Sequence, residues 1–240
     1  MSKIKTSILV YLALMFAIGL IAPPMGLASG DKGWIIRQKS PFLGANVWYI
    51  TERHVKSASS IFTLIVDLKT YRAIMYSIKS GKYIEMSVED AAARCGAFRR
   101  AKSYYFKEMK LKKDVTVAGL KGKEYVREGL KKKGDRFIAD QIYEDKIDVT
   151  DEIKFPPRVV NLLSRVTLIP HEKGFPTRAE RTGYLKGRPQ NRSEAFAMLD
   201  TLYARRSVIP DSEFKVPRGL TETTSELELL MNDDNALPIN

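Results

Sequence analysis

Four β-strand patterns follow one another closely in the first half of the chain, and they constrain the fold more than any other feature. They are rich in β-branched and aromatic residues, which strands favour, and they span residues 46–53, 61–67, 72–78 and 82–86. Links as short as 68–71 and 79–81 join strands that run antiparallel. The sequence therefore predicts an antiparallel meander.

Helical and further strand patterns follow the meander. Apolar residues recur at helical spacing over residues 88–111, after an N-cap pattern at Ser87 and Asp90, and predict a helix or broken helix. A short apolar helix is predicted for residues 157–169, as a cover against the sheet. Residues 193–206 fit a helix by spacing, but they fit a strand if the sheet needs one. Further strand patterns span residues 114–119, 122–127 and 136–143. The predicted fold class is α+β, mostly β.

The N-terminal 28 residues have the three-part layout of a secretory signal peptide. Lys3 and Lys5 precede an apolar run over residues 8–22, and small residues follow at positions 26–28. The run has 15 residues, fewer than the roughly 20 that a membrane-spanning helix needs. We therefore expect cleavage near Ala28 and a periplasmic or secreted protein. An uncleaved N-terminal anchor is the alternative.

Beyond the signal peptide, residues 29–220 are predicted to form one β-rich domain, and residues 221–240 an acidic, disordered tail. The tail has five acidic and no basic residues, whereas the whole chain has a formal charge of +12. Residues 94–133 alone contain 14 basic and 4 acidic residues. The sequence thus predicts a basic body and an acidic tail, and we expect the tail to shield the body in cis.

A basic surface favours anionic partners, such as phospholipid headgroups, anionic glycans or an envelope protein. Nucleic acid is not expected as a partner of an exported protein. The alternative is a lysine-rich surface that water alone solvates. The candidates for anionic contact are Arg99, Arg100, Lys102, Lys131, Lys132 and Lys133.

No motif for enzyme chemistry is present in the sequence. There is no Gly-x-Ser-x-Gly, His-Glu-x-x-His or phosphate-cradling glycine loop, and Cys95 has no cysteine partner for a disulfide. The acidic cluster at residues 140–152 lacks the spacing of a calcium loop and is predicted to be a solvated turn. We expect no enzyme, no cofactor and no metal. A glycosidase-like carboxylate pair stays open, because any two acids can converge in a fold.

Three short patterns resemble those of a known family. They are K-Y-I-E-M at residues 82–86, V-A-G-L-K-G-K-E-Y at 117–125 and F-x-V-P-x-G at 214–219. With the signal peptide and the strand order, they resemble exported proteins of the LolA/LolB-like lipoprotein-carrier superfamily. The resemblance covers about residues 45–220. It implies an incomplete antiparallel β-barrel, that is, a strongly curved sheet, with covering helices over an apolar cavity.

A concave sheet of this kind can bind an apolar ligand. The candidates for the cavity lining, including two on the cover helix, are Trp48, Tyr76, Tyr83, Met86, Tyr125, Leu162 and Leu163. Each of them also suits an ordinary hydrophobic core. We therefore expect an exported non-enzymatic protein that holds or carries a lipid or another amphipathic ligand. The alternative is an interaction module of the cell envelope whose basic face binds an anionic polymer, membrane or protein.

Overall fold

A computed structural model describes residues 30–97, 104–133 and 136–230. Within these residues there are three short α-helices and a single β-sheet of thirteen strands. The strands are β1 (Gly30–Ser40), β2 (Gly44–Thr51), β3 (His54–Ser59), β4 (Thr63–Asp67), β5 (Arg72–Ser77), β6 (Lys82–Ser87), β7 (Tyr104–Phe106), β8 (Lys110–Val117), β9 (Leu120–Lys133), β10 (Arg136–Thr150), β11 (Phe175–Leu185), β12 (Phe196–Pro210) and β13 (Thr221–Glu222). The helices are α1 (Val88–Ala97), α2 (Pro157–Thr167) and α3 (Glu226–Leu230).

The strands are arranged in the order β13-β6-β5-β4-β3-β2-β1-β12-β11-β10-β9, with β7 and β8 both paired to the far edge of β9. All neighbours are antiparallel except β13 and β6, which are parallel. The two ends of the sheet do not pair with each other within the described residues, so the sheet is not closed into a barrel. The prediction of an α+β fold that is mostly β is confirmed.

The predicted meander is present as β2 to β6. It contains one strand that the sequence analysis did not separate, β3, which pairs with both β2 and β4. β3 has a polar residue on its buried face, since Ser57 lies there next to Val55. The side-chain amide of Asn46 donates a hydrogen bond of 3.0 Å to the Ser57 hydroxyl, so the buried serine is paired. A strand with a serine at an inward position lacks the apolar alternation that marks strands in a sequence.

The helix predicted for residues 88–111 is wrong in its second half. It begins as expected, since the hydroxyl of Ser87 accepts a hydrogen bond of 3.0 Å from the backbone N–H of Asp90. The described helix α1 covers only Val88–Ala97, and β7 and β8 follow it along β9. Pairing with a long neighbouring strand outweighs the helical spacing there. As the edge of the sheet, β8 exposes Lys110, Lys112 and Lys113.

The open alternative at residues 193–206 is settled as a strand. β12 lies between β1 and β11 and pairs with both. Arg37 of β1 pairs with Tyr203, and the next residue of β1, Gln38, pairs with Thr201. Leu202 is therefore an extra residue in β12 at this point of the register. A bulge of this kind interrupts the two-residue alternation of a strand and explains why the spacing also fitted a helix.

The hydrophobic core lies between the sheet and α2. The predicted cover helix is present over Pro157–Thr167, and its Val159, Leu162, Leu163 and Val166 are buried. Residues from β1 to β6, β9, β11, α1 and α3 join the same apolar cluster. None of the described helices is long and apolar enough to cross a lipid bilayer.

The prediction of disorder from residue 221 onward is wrong for residues 221–230. Thr221 and Glu222 pair with Lys82 and Tyr83 of β6, and the following helix α3 buries Leu229. Leu229 lies among acidic residues, and the burial of its apolar side chain holds the segment against the sheet. The rest of the tail, residues 231–240, and the predicted signal peptide lie outside the described residues.

Candidate ligand-binding site

The side chains predicted to line a cavity do not converge on one site. Trp48, Leu162 and Leu163 are fully buried in the main core, where they fill space between the sheet and α2. The indole Nε1 of Trp48 donates a hydrogen bond of 2.7 Å to Oε1 of Gln38, and its ring meets the Phe175 ring edge-on at 5.3 Å. These three side chains are core residues in the structure.

Tyr76 and Tyr83 lie on the opposite face of the sheet from Trp48 and Met86. They are directly paired across β5 and β6, and they alternate with the core-facing Met75 and Ile84. Because successive side chains of a strand point to opposite faces, neither tyrosine faces the cluster around α2. Aromatic content alone does not indicate which face of a strand a side chain occupies.

An apolar cavity of about 200 Å³ lies between α1, α3 and the core-facing side of the sheet. Of the predicted residues, Met86 lines it. Its other apolar lining residues are Phe42, Leu43, Ile61, Phe62, Met75, Cys95, Val166, Leu229 and Leu230. These residues are drawn from strands, loops and all three helices, so only the folded chain assembles them. We name this space the apolar cavity.

The mouth of the apolar cavity combines charge with exposed apolar surface. Arg94, Arg165 and Glu226 border it. Ile61 and Leu230 also line it, and these two residues are 44% and 40% exposed. An apolar interior beside a charged rim matches a ligand with one apolar and one polar end.

The folded part of the tail forms one wall of the apolar cavity. Leu229 is only 1% exposed, and its backbone oxygen accepts a hydrogen bond of 3.0 Å from the Ser80 hydroxyl. The backbone N–H of Thr223 donates to the backbone oxygen of Tyr83 at 2.9 Å. These contacts attach α3, a helix of five residues, to the sheet.

The basic residues that the sequence predicts as anionic contacts lie either outside the described residues or at the end of a described segment. Arg99, Arg100 and Lys102 lie outside the described residues. The backbone of Lys131, Lys132 and Lys133 forms the end of β9, where the last two pair with Phe137 and Arg136 of β10. The three lysines therefore lie at the far end of the β9–β10 hairpin.

The expectation of a solvated acidic turn at residues 140–152 is wrong, since most of it belongs to β10. Asp145 is 1% exposed and lies between Arg127 of β9 and Arg181 of β11, its partners in the strand register. Arg127 donates to Oδ2 at 2.9 and 3.1 Å, and Arg181 donates to Oδ1 at 2.6 Å and to Oδ2 at 3.0 Å. Burial lowers the pKa of Arg127 despite the neighbouring carboxylate.

An aromatic ring covers this buried charge cluster. The guanidinium carbon of Arg127 lies 3.8 Å from the ring centre of Phe106, and that of Arg181 lies 5.0 Å from it. Gly129 makes room for the ring, because a Cβ at this position would be 2.4 Å from a ring carbon of Phe106. The cluster was not predicted, since its members are far apart in sequence and only the strand register brings them together.

Tyr125, the last of the predicted lining residues, borders a different and polar cavity of about 400 Å³ near the start of α2. It therefore shares no site with Met86. The chain matches no protein-family model, and no curated protein matches it. The resemblance to the lipoprotein-carrier superfamily stays a prediction.

Proposed function

We propose that this is an exported, non-enzymatic binding protein that holds the acyl part of a lipid or another amphiphile in the apolar cavity. The observation that carries the proposal is the apolar lining next to Arg94 and Arg165 at the mouth. Each buried methylene of an acyl chain contributes about 0.8 kcal/mol to binding. The two arginines then contact an anionic or polar headgroup.

The size of the apolar cavity sets a condition on the ligand. Sites for drug-sized ligands have volumes of about 300–1,000 Å³, whereas this cavity has about 200 Å³. A long acyl chain therefore inserts only in part, unless α3 moves away and adds the space that Leu229 fills. The shortness of α3, which has five residues, supports such a movement.

The sheet supports the lipoprotein-carrier architecture within this proposal. Met86 of β6 and Leu120 of β9 belong to one apolar cluster around α2, although eight strands separate β6 from β9 in the sheet order. At about 4.8 Å per strand, a flat sheet would separate them by roughly 40 Å. A strongly curved, incomplete barrel with covering helices brings them together. The secretory layout of residues 1–28 supports export to the periplasm or beyond.

The first test is native mass spectrometry of the mature protein purified from an exported fraction, with lipid extraction of the same sample. We expect a co-purifying amphiphile at near-stoichiometric load. A clean mass of the protein alone, with no lipid in the extract, would contradict the proposal and favour a basic envelope-binding module instead.

A pair of variants ties the bound amphiphile to the apolar cavity. Met75→Trp fills the cavity and is expected to reduce the binding of a fluorescent fatty acid by about tenfold or more. Ile78→Trp adds the same side chain at an exposed position outside the cavity and is expected to leave binding unchanged. Equal affinities of the two variants would place the fatty acid elsewhere.

The rival function, an envelope interaction module, rests on the basic residues. The exposed lysines of β8 belong to the described part of this basic surface. Lysines on an edge strand also prevent pairing with other chains, which accounts for them without a partner. Salt separates the two functions, since binding to a charged surface weakens as salt increases, whereas burial of an acyl chain does not.

A further inference from the structure

The chain passes from one face of the sheet to the other after β12. Glu213 forms an ion pair with Lys56 of β3 at 2.9 Å. Lys56 follows the core-facing Val55, so this contact lies on the face away from the core. β13 then pairs with the edge of β6, and Leu229 is buried in the core on the other face. Residues 221–230, which we name the tail plug, are therefore held from outside the apolar cavity and end inside it.

The helix of the tail plug, α3, carries a carboxylate and apolar side chains on one face. Glu226, Leu229 and Leu230 are three and four residues apart, which places them on the same side of a helix. All three line the apolar cavity, with Glu226 at its mouth. The tail plug thus presents a carboxylate at the mouth and an apolar side chain inside. This is the arrangement of an anionic amphiphile, the ligand proposed above.

The guanidinium of Arg94 at the mouth is already bound by the tail plug. Its Nε lies 3.4 Å from Oε1 of Glu226, and its Nη1 donates a hydrogen bond of 3.2 Å to the backbone oxygen of Thr224. A second carboxylate at this guanidinium would lie beside Glu226, and two like charges that share one site repel each other. An anionic headgroup therefore competes with Glu226 for Arg94.

Leu229 fills part of the space that an acyl chain needs. The residue is 1% exposed and belongs to the same apolar cluster as Met75 and Met86, which line the cavity. When Leu229 leaves, the groups around it lose their contacts unless another apolar group takes its place. An acyl chain is such a group. The chain and Leu229 therefore compete for one set of contacts.

We infer that the tail plug is an intramolecular competitor of the ligand. Glu226 occupies the headgroup position and Leu229 the acyl position, and an amphiphile binds by displacing both. The inference rests on the proposed function and adds the regulation of the same site. Because Glu213 holds the chain ahead of the tail plug, the displaced plug stays at high effective concentration and returns when the ligand leaves. The apparent affinity is reduced by the fraction of molecules in which the cavity is open.

Isothermal titration calorimetry with decanoate compares the wild type with a deletion of residues 223–240. We expect the deletion variant to bind decanoate about tenfold more tightly or more, because no leucine has to leave the cavity. Weaker binding would show that α3 is a wall of the site and would overturn the inference. Equal affinities would overturn the inference and leave the proposed function in place. Decanoate that binds to neither protein would contradict the proposed function and the inference together.

Glu226→Gln weakens the tail plug without removing it. Loss of the ion pair with Arg94 is expected to tighten the binding of decanoate and of uncharged decan-1-ol alike, by about three- to fivefold. The control Glu222→Gln makes the same change of charge at an exposed position of β13 outside the cavity, and is expected to leave both affinities unchanged. A gain for decanoate alone, or equal gains in the two variants, would attribute the effect to charge repulsion and overturn the inference.

Amide hydrogen exchange of the full-length protein measures the displacement directly. The backbone N–H of Thr223 donates to the Tyr83 oxygen at 2.9 Å, and that of Leu229 donates to the Ser225 oxygen at 3.2 Å. Saturating decanoate is expected to accelerate exchange in residues 221–230 by about tenfold or more and to leave β2 unchanged. A ligand enclosed by α3 would slow exchange there instead. Slower or unchanged exchange in these residues would overturn the inference.

Discussion

The side-chain Nε of Arg94 lies 3.4 Å from Oε1 of Glu226, and Nη1 of Arg94 donates a hydrogen bond of 3.2 Å to the backbone oxygen of Thr224. These contacts join α1, which opens the basic region, to the acidic tail. The ion pair is partly solvent-exposed, so by itself it contributes at most about 1 kcal/mol. The tail is held mainly by the burial of Leu229 beside it.

Replacing Leu229 by alanine tests whether its burial holds the tail more strongly than the ion pair does. Leu229→Ala is expected to lower the free energy of unfolding by about 2–3 kcal/mol, because it removes a fully buried side chain and enlarges the apolar cavity. Leu227→Ala, at an exposed position of the same helix, is expected to change it by less than about 0.5 kcal/mol. Urea denaturation measures both values. Equal effects would show that α3 is not packed as described.

Removing residues 223–240 tests the role of the tail as a shield. The deletion removes four acidic side chains and one wall of the apolar cavity. We expect stronger binding to anionic vesicles at low salt, a difference that disappears at high salt, and increased fluorescence of an apolar dye. Unchanged vesicle binding at low salt would count against shielding in cis.

The cluster of Arg127, Asp145 and Arg181 predicts a large effect of a small substitution. Asp145→Asn leaves two largely buried guanidinium groups without their carboxylate and is expected to destabilise the protein by about 3–5 kcal/mol. Asp200→Asn removes a carboxylate from an exposed pair with Arg178 and is expected to cost less than about 1 kcal/mol. Thermal and urea unfolding of the two variants provide the comparison, and similar losses would contradict the burial of the cluster.

Burial lowers the pKa of His171 to about 3, which predicts a loss of stability in acid. The unfolded chain binds a proton at this residue near pH 6.5, whereas the folded chain does so only near pH 3. Stability from this residue is therefore fully present above pH 6.5 and decreases as the pH falls toward 3. Between pH 7 and pH 5 the expected loss is about 2 kcal/mol.

Comparison with His171→Gln isolates this contribution from that of the carboxylates. The variant is expected to be less stable at pH 7 but to lose about 2 kcal/mol less than the wild type between pH 7 and pH 5. Parallel curves of unfolding free energy against pH would show that His171 is not buried in its neutral form.

The lysines at the far end of the β9–β10 hairpin are tested by Lys131→Gln, Lys132→Gln, Lys133→Gln. If they contact an anionic membrane, the variant is expected to bind anionic vesicles at least about tenfold more weakly at low salt, since each lysine near the surface contributes about 1 kcal/mol. The variant with Lys69, Lys79 and Lys215 changed to glutamine controls for total charge. Unaltered binding would remove this hairpin end as the contact.

The sequence predicted those parts of the fold that depend on local pattern. The meander and the cover helix were correct because strand alternation, short links and the proline at Pro157 act within a few residues. The bulge at Leu202 and the pairing of Thr221 with Lys82 depend on strands far away in sequence. Local spacing could not reveal either of them.

The candidate site was less predictable than the fold for the same reason. Aromatic and apolar types were recognised, but the face of each strand was not, so Tyr76 and Met86 were assigned to one cavity although they lie on opposite faces. The charges around Asp145 and the residues that line the apolar cavity come from separate strands, loops and helices. Only the register of the sheet and the course of the loops bring such groups together.

An open sheet has two rims at which another chain can add a strand and start aggregation. The exposed lysines of β8 lie along one rim. The two residues of β13 pair with β6 at the other rim. The tail segment that closes the apolar cavity is thus continuous with the one that covers this rim. A ligand that displaced the segment of residues 221–230 as a whole would therefore also expose the edge of β6 to strand pairing with another chain.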